Sequence, residues 1–247
     1  MQQYFVKGLA SSPVTIEDKE TGKHMFQVMR LKEDDEVTLV FDDGIKRLAR
    51  VVNVEARQFE LVEELDDNVE LPVQVTIASG FPKGDKLEFI TQKVTELGAS
   101  QIWAFPADWS VAKWDGKKLG KKVEKLEKIA LGAAEQSKRN LVPSITLFEK
   151  KADFLAQFDQ FDRIVVAYEE SAKEGEAAAL MQAVAGLEKG AKLLFIFGPE
   201  GGLSPAEIES FAAKGAVLAG FGPRILRAET APLYALSAVS VVTELMN

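Results

Sequence analysis

Residues 192–209, KLLFIFGPEGGLSPAEIE, leave few local structures open. An apolar run of strand length stops at Gly198, Gly201 and Gly202, which surround Glu200. Ser204 suits an N-cap, Pro205 the first helical position, and Glu207, three residues after Ser204, closes a capping box. The stretch reads strand, glycine turn, helix. Glycines there permit positive φ and let a ligand approach main-chain N–H and C=O groups. Two readings stand, a tight βα turn and a ligand loop. A phosphate loop is the weaker form of the second. The Gly-Lys-Ser/Thr ending is missing, and the glycines do not follow GxGxxG.

The same alternation runs from residue 71 onward. Strands are expected at 73–79, 101–105, 144–148, 163–169, 192–197 and 216–221, with helices between them. Leu87, Ile90, Val94 and Leu97 share one helical face that Gly98 ends, and a long helix is expected from about Lys117 to Ser137. The last segment, from Ala231, is apolar on most sides and reads as a buried helix. This pattern predicts an α/β domain with a mostly parallel sheet covered on both faces. Ligands in such sheets sit at the carboxyl ends of strands, so the exits after Phe197 and Leu218 form the expected site.

Residues 1–70 have another texture. Strand-length segments at 36–41, 47–54 and 58–65, the turn FDDG, and a short helix in EDKETGKHMFQVMRL suggest a small β-barrel domain. The polar link DDNVELP, 66–72, places the boundary between domains 1–70 and 71–247.

Absences narrow the chemistry. With no cysteine and a single histidine, His24, the chain cannot build a disulfide, a thiolate nucleophile or a cysteine zinc site, and a Ser-His-Asp triad or histidine-rich metal site is not expected. No window approaches the roughly 18 uninterrupted apolar residues of a membrane helix, and the start lacks a signal-peptide pattern. A cytoplasmic protein with no metal and no membrane partner is expected. The net charge of -8 is mostly N-terminal, where residues 1–70 hold 9 Lys and Arg against 16 Asp and Glu. Residues 83–139 are basic, with 12 against 8. The run KWDGKKLGKKVEKLEK there is either a solvated helix face or a phosphate-facing patch.

A second motif, GFGPRILRAETAPLYAL (220–236), gathers Gly220, Gly222, Arg224, Arg227, Glu229 and Thr230 before the final helix. One reading is a helix start capped by Thr230 with a local Arg–Glu pair. Together, GPEGGLSPAEI and RILRAETA resemble the ribosomal RNA small subunit methyltransferase E family of the SPOUT superfamily. GKHMFQVMRLKEDDEVTLVFDDG, KGDKLEFITQKVTELGASQIW and EQSKRNLVP resemble further family motifs in order, so the likeness spans the chain. Departures lie at 108–110, DWS where many members have ERS, and at Lys23-His24, where members often have two histidines.

The resemblance implies a trefoil-knotted parallel-sheet methyltransferase domain after a PUA-like barrel, acting as a homodimer on 16S ribosomal RNA of the small subunit. It implies S-adenosylmethionine as cofactor, held mainly by main chain of Phe197, Gly198, Pro199, Glu200, Gly201 and Gly202 and of Leu218, Gly220, Phe221, Gly222, Ile225, Leu226, Thr230 and Ala231. Methyl transfer to N3 of a uridine would use Arg227 and Glu229, with Arg224 beside them. Lys7, Lys23, His24, Arg30, Lys113, Lys117 and Arg139 are the candidate RNA contacts. The alternatives are a SPOUT enzyme with another ribosomal or transfer RNA target, a nucleotide-binding α/β enzyme, and a non-catalytic assembly factor.

Overall fold

The computed structural model describes residues 1–168 and 177–246. The chain forms two compact units. One is Met1–Glu70 with Ala134–Leu141; the other is Leu71–Ala133 with the chain from Val142 onward.

In the first unit, β1 (Gln3–Phe5), β2 (Val14–Thr15), β3 (Glu36–Val40), β4 (Lys46–Asn53) and β5 (Gln58–Leu65) form one sheet in the order β1-β3-β4-β5-β2. Only β1 and β3 pair in parallel. FDDG makes the β3–β4 turn, closed by the Gly44 N–H donating to the Phe41 carbonyl at 3.0 Å. Register shifts between Leu48 and Ala49 and between Val51 and Asn53 curl the β4–β5 ribbon. Helix α1 (Lys19–Lys23) runs into a π-helical turn, His24–Val28, whose Met25 is buried with Tyr4, Leu39, Val51 and Phe59.

Residues 134–141 complete this unit through Glu70. Its carboxylate accepts from the Arg139 guanidinium and from the N–H groups of Asn140 (2.8 Å) and Leu141 (3.2 Å). Arg139 is 2% exposed. A buried cation is tolerated because a carboxylate with its own donors faces it. This corrects one expectation: Arg139 is a structural cation and is withdrawn from the surface set offered to RNA phosphates.

Glu135 adds a pH dependence. Burial pushes its carboxyl up to about 7, against the opposing pull of the Phe5 N–H. The folded value lies above the ordinary 4.5, so the fold favours the protonated form. Stability is full below about 4.5 and declines as pH rises through 7. Glu135→Gln should therefore stabilise this unit by on the order of 1–2 kcal/mol at pH 8, after solvent screening, and leave it unchanged at pH 4.5. Thermal midpoints at the two pH values check this.

The second unit carries a six-stranded parallel sheet, β6 (Gln74–Gly80), β7 (Gln101–Phe105), β8 (Ser144–Leu147), β9 (Arg163–Ala167), β10 (Lys192–Phe197) and β11 (Val217–Ala219), in the order β11-β9-β10-β6-β7-β8. Strand β10 pairs with both β9 and β6. Being central and covered on both faces, it reads as a continuous apolar run. On one face Val75, Ile77, Leu193 and Phe195 pack with helices α2 (Lys86–Glu96) and α7 (Ala231–Ser240). On the other, Trp103, Phe105, Phe158 and Phe211 gather around Phe154, with Phe105 and Phe154 stacked at 4.2 Å.

Helices α3 (Gly116–Gln136), α4 (Lys151–Leu155), α5 (Ala177–Val184) and α6 (Pro205–Ala213) fill most of the remaining connections. Glu169, the expected end of β9, lies outside the described residues. Helix α7 differs from its expectation. Pro232, Ala235, Leu236 and Val239 are buried, whereas Tyr234 and Ser237 are exposed, because the helix covers the sheet with one face only.

Candidate functional site

The exits of β6, β10 and β11 supply three loops, 81–85, 198–204 and 220–230. The second is folded back on itself. The Gly202 N–H donates to the Pro199 carbonyl at 2.8 Å, and Gly202 has φ +79°. A Cβ on Gly198 would lie 2.7 Å from the Gly202 carbonyl carbon and 3.0 Å from the Leu203 nitrogen. The Gly198 position therefore admits no side chain, and Gly202 adopts a conformation that glycine favours.

The capping box forms as its spacing predicts. The Ser204 hydroxyl accepts from the Glu207 N–H, and Glu207 Oε2 accepts from the Ser204 N–H at 2.9 Å. Residues from two other segments extend it. Glu207 Oε1 accepts from the Asp108 N–H at 2.9 Å and from Lys151 Nζ at 2.6 Å. Asp108 accepts from the Ser204 hydroxyl and the Lys151 ammonium. The Lys151 ammonium, and then the Ser204 hydroxyl, hold the Asp108 carboxyl below the usual range. Glu207 is buried and Lys151 is its only ion-pair partner among the described residues. Lys151→Met should cost about 2–3 kcal/mol, because it leaves a buried carboxylate with backbone N–H donors but no counter-ion. Denaturant midpoints for the second unit's transition check it.

A second tie joins all three loops. Glu200 Oε1 accepts from the Lys83 N–H at 3.1 Å and from Lys86 Nζ at 2.9 Å. The same Nζ lies 3.4 Å from Glu229 Oε2. Burial opposes ionisation of Glu200, but the Lys86 ammonium and the backbone N–H groups outweigh it and hold its pKa below the ordinary value. The Glu200 carboxylate, with Glu229 behind it, holds Lys86 charged. Glu229 Oε2 is buried, and beyond the long 3.4 Å approach of Lys86 Nζ it has no hydrogen-bond partner among the described residues.

The remaining candidates fall into groups. Arg224 and Arg227 are exposed, and neither makes an ion pair among the described residues. Thr230 holds the N-cap position of α7, but its side chain makes no capping bond. The reading of this motif as a Thr230 cap with a local Arg–Glu pair is therefore corrected. Its backbone serves instead, its carbonyl accepting from the Leu233 and Tyr234 N–H groups, both at 3.1 Å. Phe197, Pro199, Gly220 and Phe221 are buried, Leu218, Gly222, Leu226 and Ala231 are half-buried, and Gly201 and Ile225 are exposed. The rings of Phe197 and Phe221 pack together at 5.7 Å in the core. Lys7, Lys23, His24 and Arg30 are exposed in the first unit, and Lys113 and Lys117 in the second. Lys86, Lys151 and Tyr234 were not singled out by sequence, and Asp108 and Trp109 entered only as a departure from the family pattern. Lys86 had a usable signal, since it follows the carboxyl end of a strand.

Two family models match the chain one after the other. A model described as an RNA methyltransferase domain matches residues 69–240, and one described as an RNA methyltransferase PUA domain matches residues 16–64. Ribosomal RNA small subunit methyltransferase E of Bacillus subtilis (strain 168) is 46% identical over 253 residues, covering 100% of this chain and 99% of its own. The chain belongs to the ribosomal RNA small subunit methyltransferase E family.

Solved structures extend the likeness. A crystal structure of a hypothetical protein, 42% identical, matches with a TM-score of 0.91 over 100% of both chains. A Legionella pneumophila protein described as a methyltransferase in complex with its bound cofactor SAM, 25% identical, matches at 0.80 over 97% of this chain and 96% of its own. For this family member, the fold is thus a parallel-sheet methyltransferase domain with an N-terminal PUA-like domain. Among the described residues no group of three or more His, Asp and Glu side chains could hold a metal ion, and no helix is long and apolar enough to cross a membrane.

Proposed function

We propose that this chain methylates N3 of a uridine in 16S ribosomal RNA, using S-adenosylmethionine. The observation that carries the reading is the convergence of three strand-exit loops on Lys86, one of them the loop that also bears the exposed Arg224 and Arg227. The residues present fit the cofactor. The Gly198 position admits no side chain, and Glu229 Oε2 is a buried acceptor whose hydrogen-bonding capacity Lys86, 3.4 Å away, leaves largely free among the described residues. Main chain of Phe197–Gly202, Leu218, Gly220–Gly222, Ile225, Leu226, Thr230 and Ala231 would hold it. The Legionella relative binds this cofactor on the same fold, and the Bacillus relative is named for ribosomal RNA.

When bound, S-adenosylmethionine supplies an electrophilic methyl group. The chain must place the uridine and manage one proton. N3 of uracil is an imide N–H between two carbonyls and is a poor nucleophile until it loses that proton. Glu229 is the better acceptor, because Glu200 already takes two hydrogen bonds from Lys83 and Lys86. Charge then develops on the uracil oxygens, where Arg227, with Arg224 near it, supplies a positioned cation. Exposed Lys113 and Lys117, and Lys7, Lys23, His24 and Arg30 of the PUA-like unit, meet phosphates. We further assign a trefoil knot to the methyltransferase unit, a homodimer in which the exposed side of α7 contributes contacts, and a cytoplasmic location.

Tritium transfer from labelled S-adenosylmethionine to small subunits lacking the modification, followed by nucleoside analysis, tests the reading. Label is expected in 3-methyluridine, with Arg227→Ala lowering the rate by about 10²–10³. Label in another nucleoside would keep the enzyme class and change the target. A protein that does not bind the cofactor would not be a methyltransferase.

A further inference from the structure

Trp109 is 48% exposed, and its position is defined by the glycine loop. A Cβ on Gly201 would lie 3.1 Å from Trp109 Cβ, and one on Gly202 would lie 4.0 Å from Trp109 Cζ3. The indole therefore lies along the Gly201–Gly202 edge with about half its surface open to solvent. An exposed tryptophan on a free loop would lose its ordering on each collision with solvent. This one is braced on both sides. Asp108 is tied to Ser204, Lys151 and Glu207, and the Ser110 N–H donates to the Ala107 carbonyl at 3.0 Å. The Ser110 hydroxyl is buried and makes no hydrogen bond. The second tryptophan of the segment, Trp114, is already used. It packs on Phe81 at 4.3 Å and lies under Lys122 Nζ at 4.3 Å.

Beyond Trp109 the chain becomes cationic, with exposed Lys113, Lys117, Lys118 and Lys121 leading into α3. A fixed, half-open aromatic plane next to a cationic stretch is the arrangement that single-stranded nucleic acid requires, with bases stacking on the ring and phosphates meeting the lysines. A base modified at N3 must leave its helix, and an extruded base needs a plane to replace its lost stacking.

We propose that Trp109 is the stacking platform for the substrate base or its immediate neighbour, and so a positioning residue for the methyl transfer. This rests on the RNA-methylation reading above. The test compares wild type, Trp109→Ala, Trp109→Leu and Trp109→Phe in steady-state methyl transfer to small subunits lacking the modification, with calorimetry of S-adenosylmethionine binding on each. Trp109→Ala should lose about 10- to 100-fold in kcat/KM for RNA, the range expected for one lost base–aromatic stack, with cofactor affinity within about twofold of wild type. Trp109→Phe should recover most of that loss, because its ring restores the stack, whereas Trp109→Leu, of similar bulk without a ring, should not. Equal activity of Trp109→Ala and wild type overturns the proposal while leaving the enzyme reading intact. Parallel loss of cofactor affinity in the variants also overturns it, by making the indole a packing piece of the glycine loop. A wild type that binds cofactor and methylates no RNA removes the parent reading and this proposal with it.

Discussion

Gly198→Ala should weaken S-adenosylmethionine binding by at least about a hundredfold and abolish methyl transfer, while the chain still folds. The reason is local. The added methyl would sit 2.7 Å from the Gly202 carbonyl carbon and 2.9 Å from its Cα, both of them backbone atoms that cannot rotate away. Either the turn opens or Gly198 moves, and both displace the main-chain groups proposed to hold the cofactor. Overpacking of this kind costs roughly 1–3 kcal/mol, which the unit can absorb. Strand β10 and helix α6 on either side stay anchored, the helix by the Glu207–Lys151–Asp108 network. Calorimetry with S-adenosylmethionine and far-ultraviolet dichroism separate loss of binding from loss of fold. An affinity within threefold of wild type would remove this turn from the cofactor site. Gly201→Val provides a contrast. Its Cβ meets only Trp109, at 3.1 Å, so it strains the loop's outer edge and should cost less affinity than Gly198→Ala.

The legible parts of the molecule were those in which chemistry is local. The run 192–197 announced a strand buried on both faces because no polar residue interrupts it after Lys192, and β10 is central. Ser204, Pro205 and Glu207 announced a helix start because a capping box is complete within four residues. What escaped were contacts between residues far apart in sequence. Lys151 looks like an ordinary surface lysine, yet it meets Glu207 and Asp108, 56 positions later and 43 earlier. Arg139 read as a surface cation because its partner Glu70 is 69 positions away. Helix α3 runs through residue 133 without a break and ends at Gln136, so nothing in its spacing marks where residues 134–141 pass to the first unit. Thr230 failed as a cap for a different reason. It has the right type and place, but its αR backbone (φ −91°, ψ −38°) does not take the extended form that directs an N-cap oxygen onto the first turn.

The same distinction directs attention to Lys86, where the second large effect is expected. Lys86→Met should lower kcat/KM for RNA methylation by about 30- to 300-fold, with the larger part in kcat. One ammonium serves two carboxylates, Glu200 at 2.9 Å and Glu229 at 3.4 Å, from loops that leave different strands. Removing it leaves two acidic groups together with no cation between them, and like charges at that range raise one pKa. A carboxylate deprived of its cation in this way is a less available acceptor for the N3 proton. Glu200 would keep only backbone N–H donors, that of Lys83 among them, so the glycine loop would loosen on that side. The pair is part-exposed, so stability should fall by only about 1 kcal/mol. The effect on rate should therefore exceed the effect on folding. A pH–rate profile distinguishes a lost proton acceptor from a loosened loop. If Glu229 accepts the proton, the acidic limb of the Lys86→Met profile moves to higher pH, because the neighbouring carboxylate now opposes ionisation. Lys86→Arg should restore the limb, since a guanidinium can span both carboxylates. A profile that keeps its limb while falling uniformly would assign Lys86 to loop anchoring alone and leave the proton acceptor to be sought elsewhere.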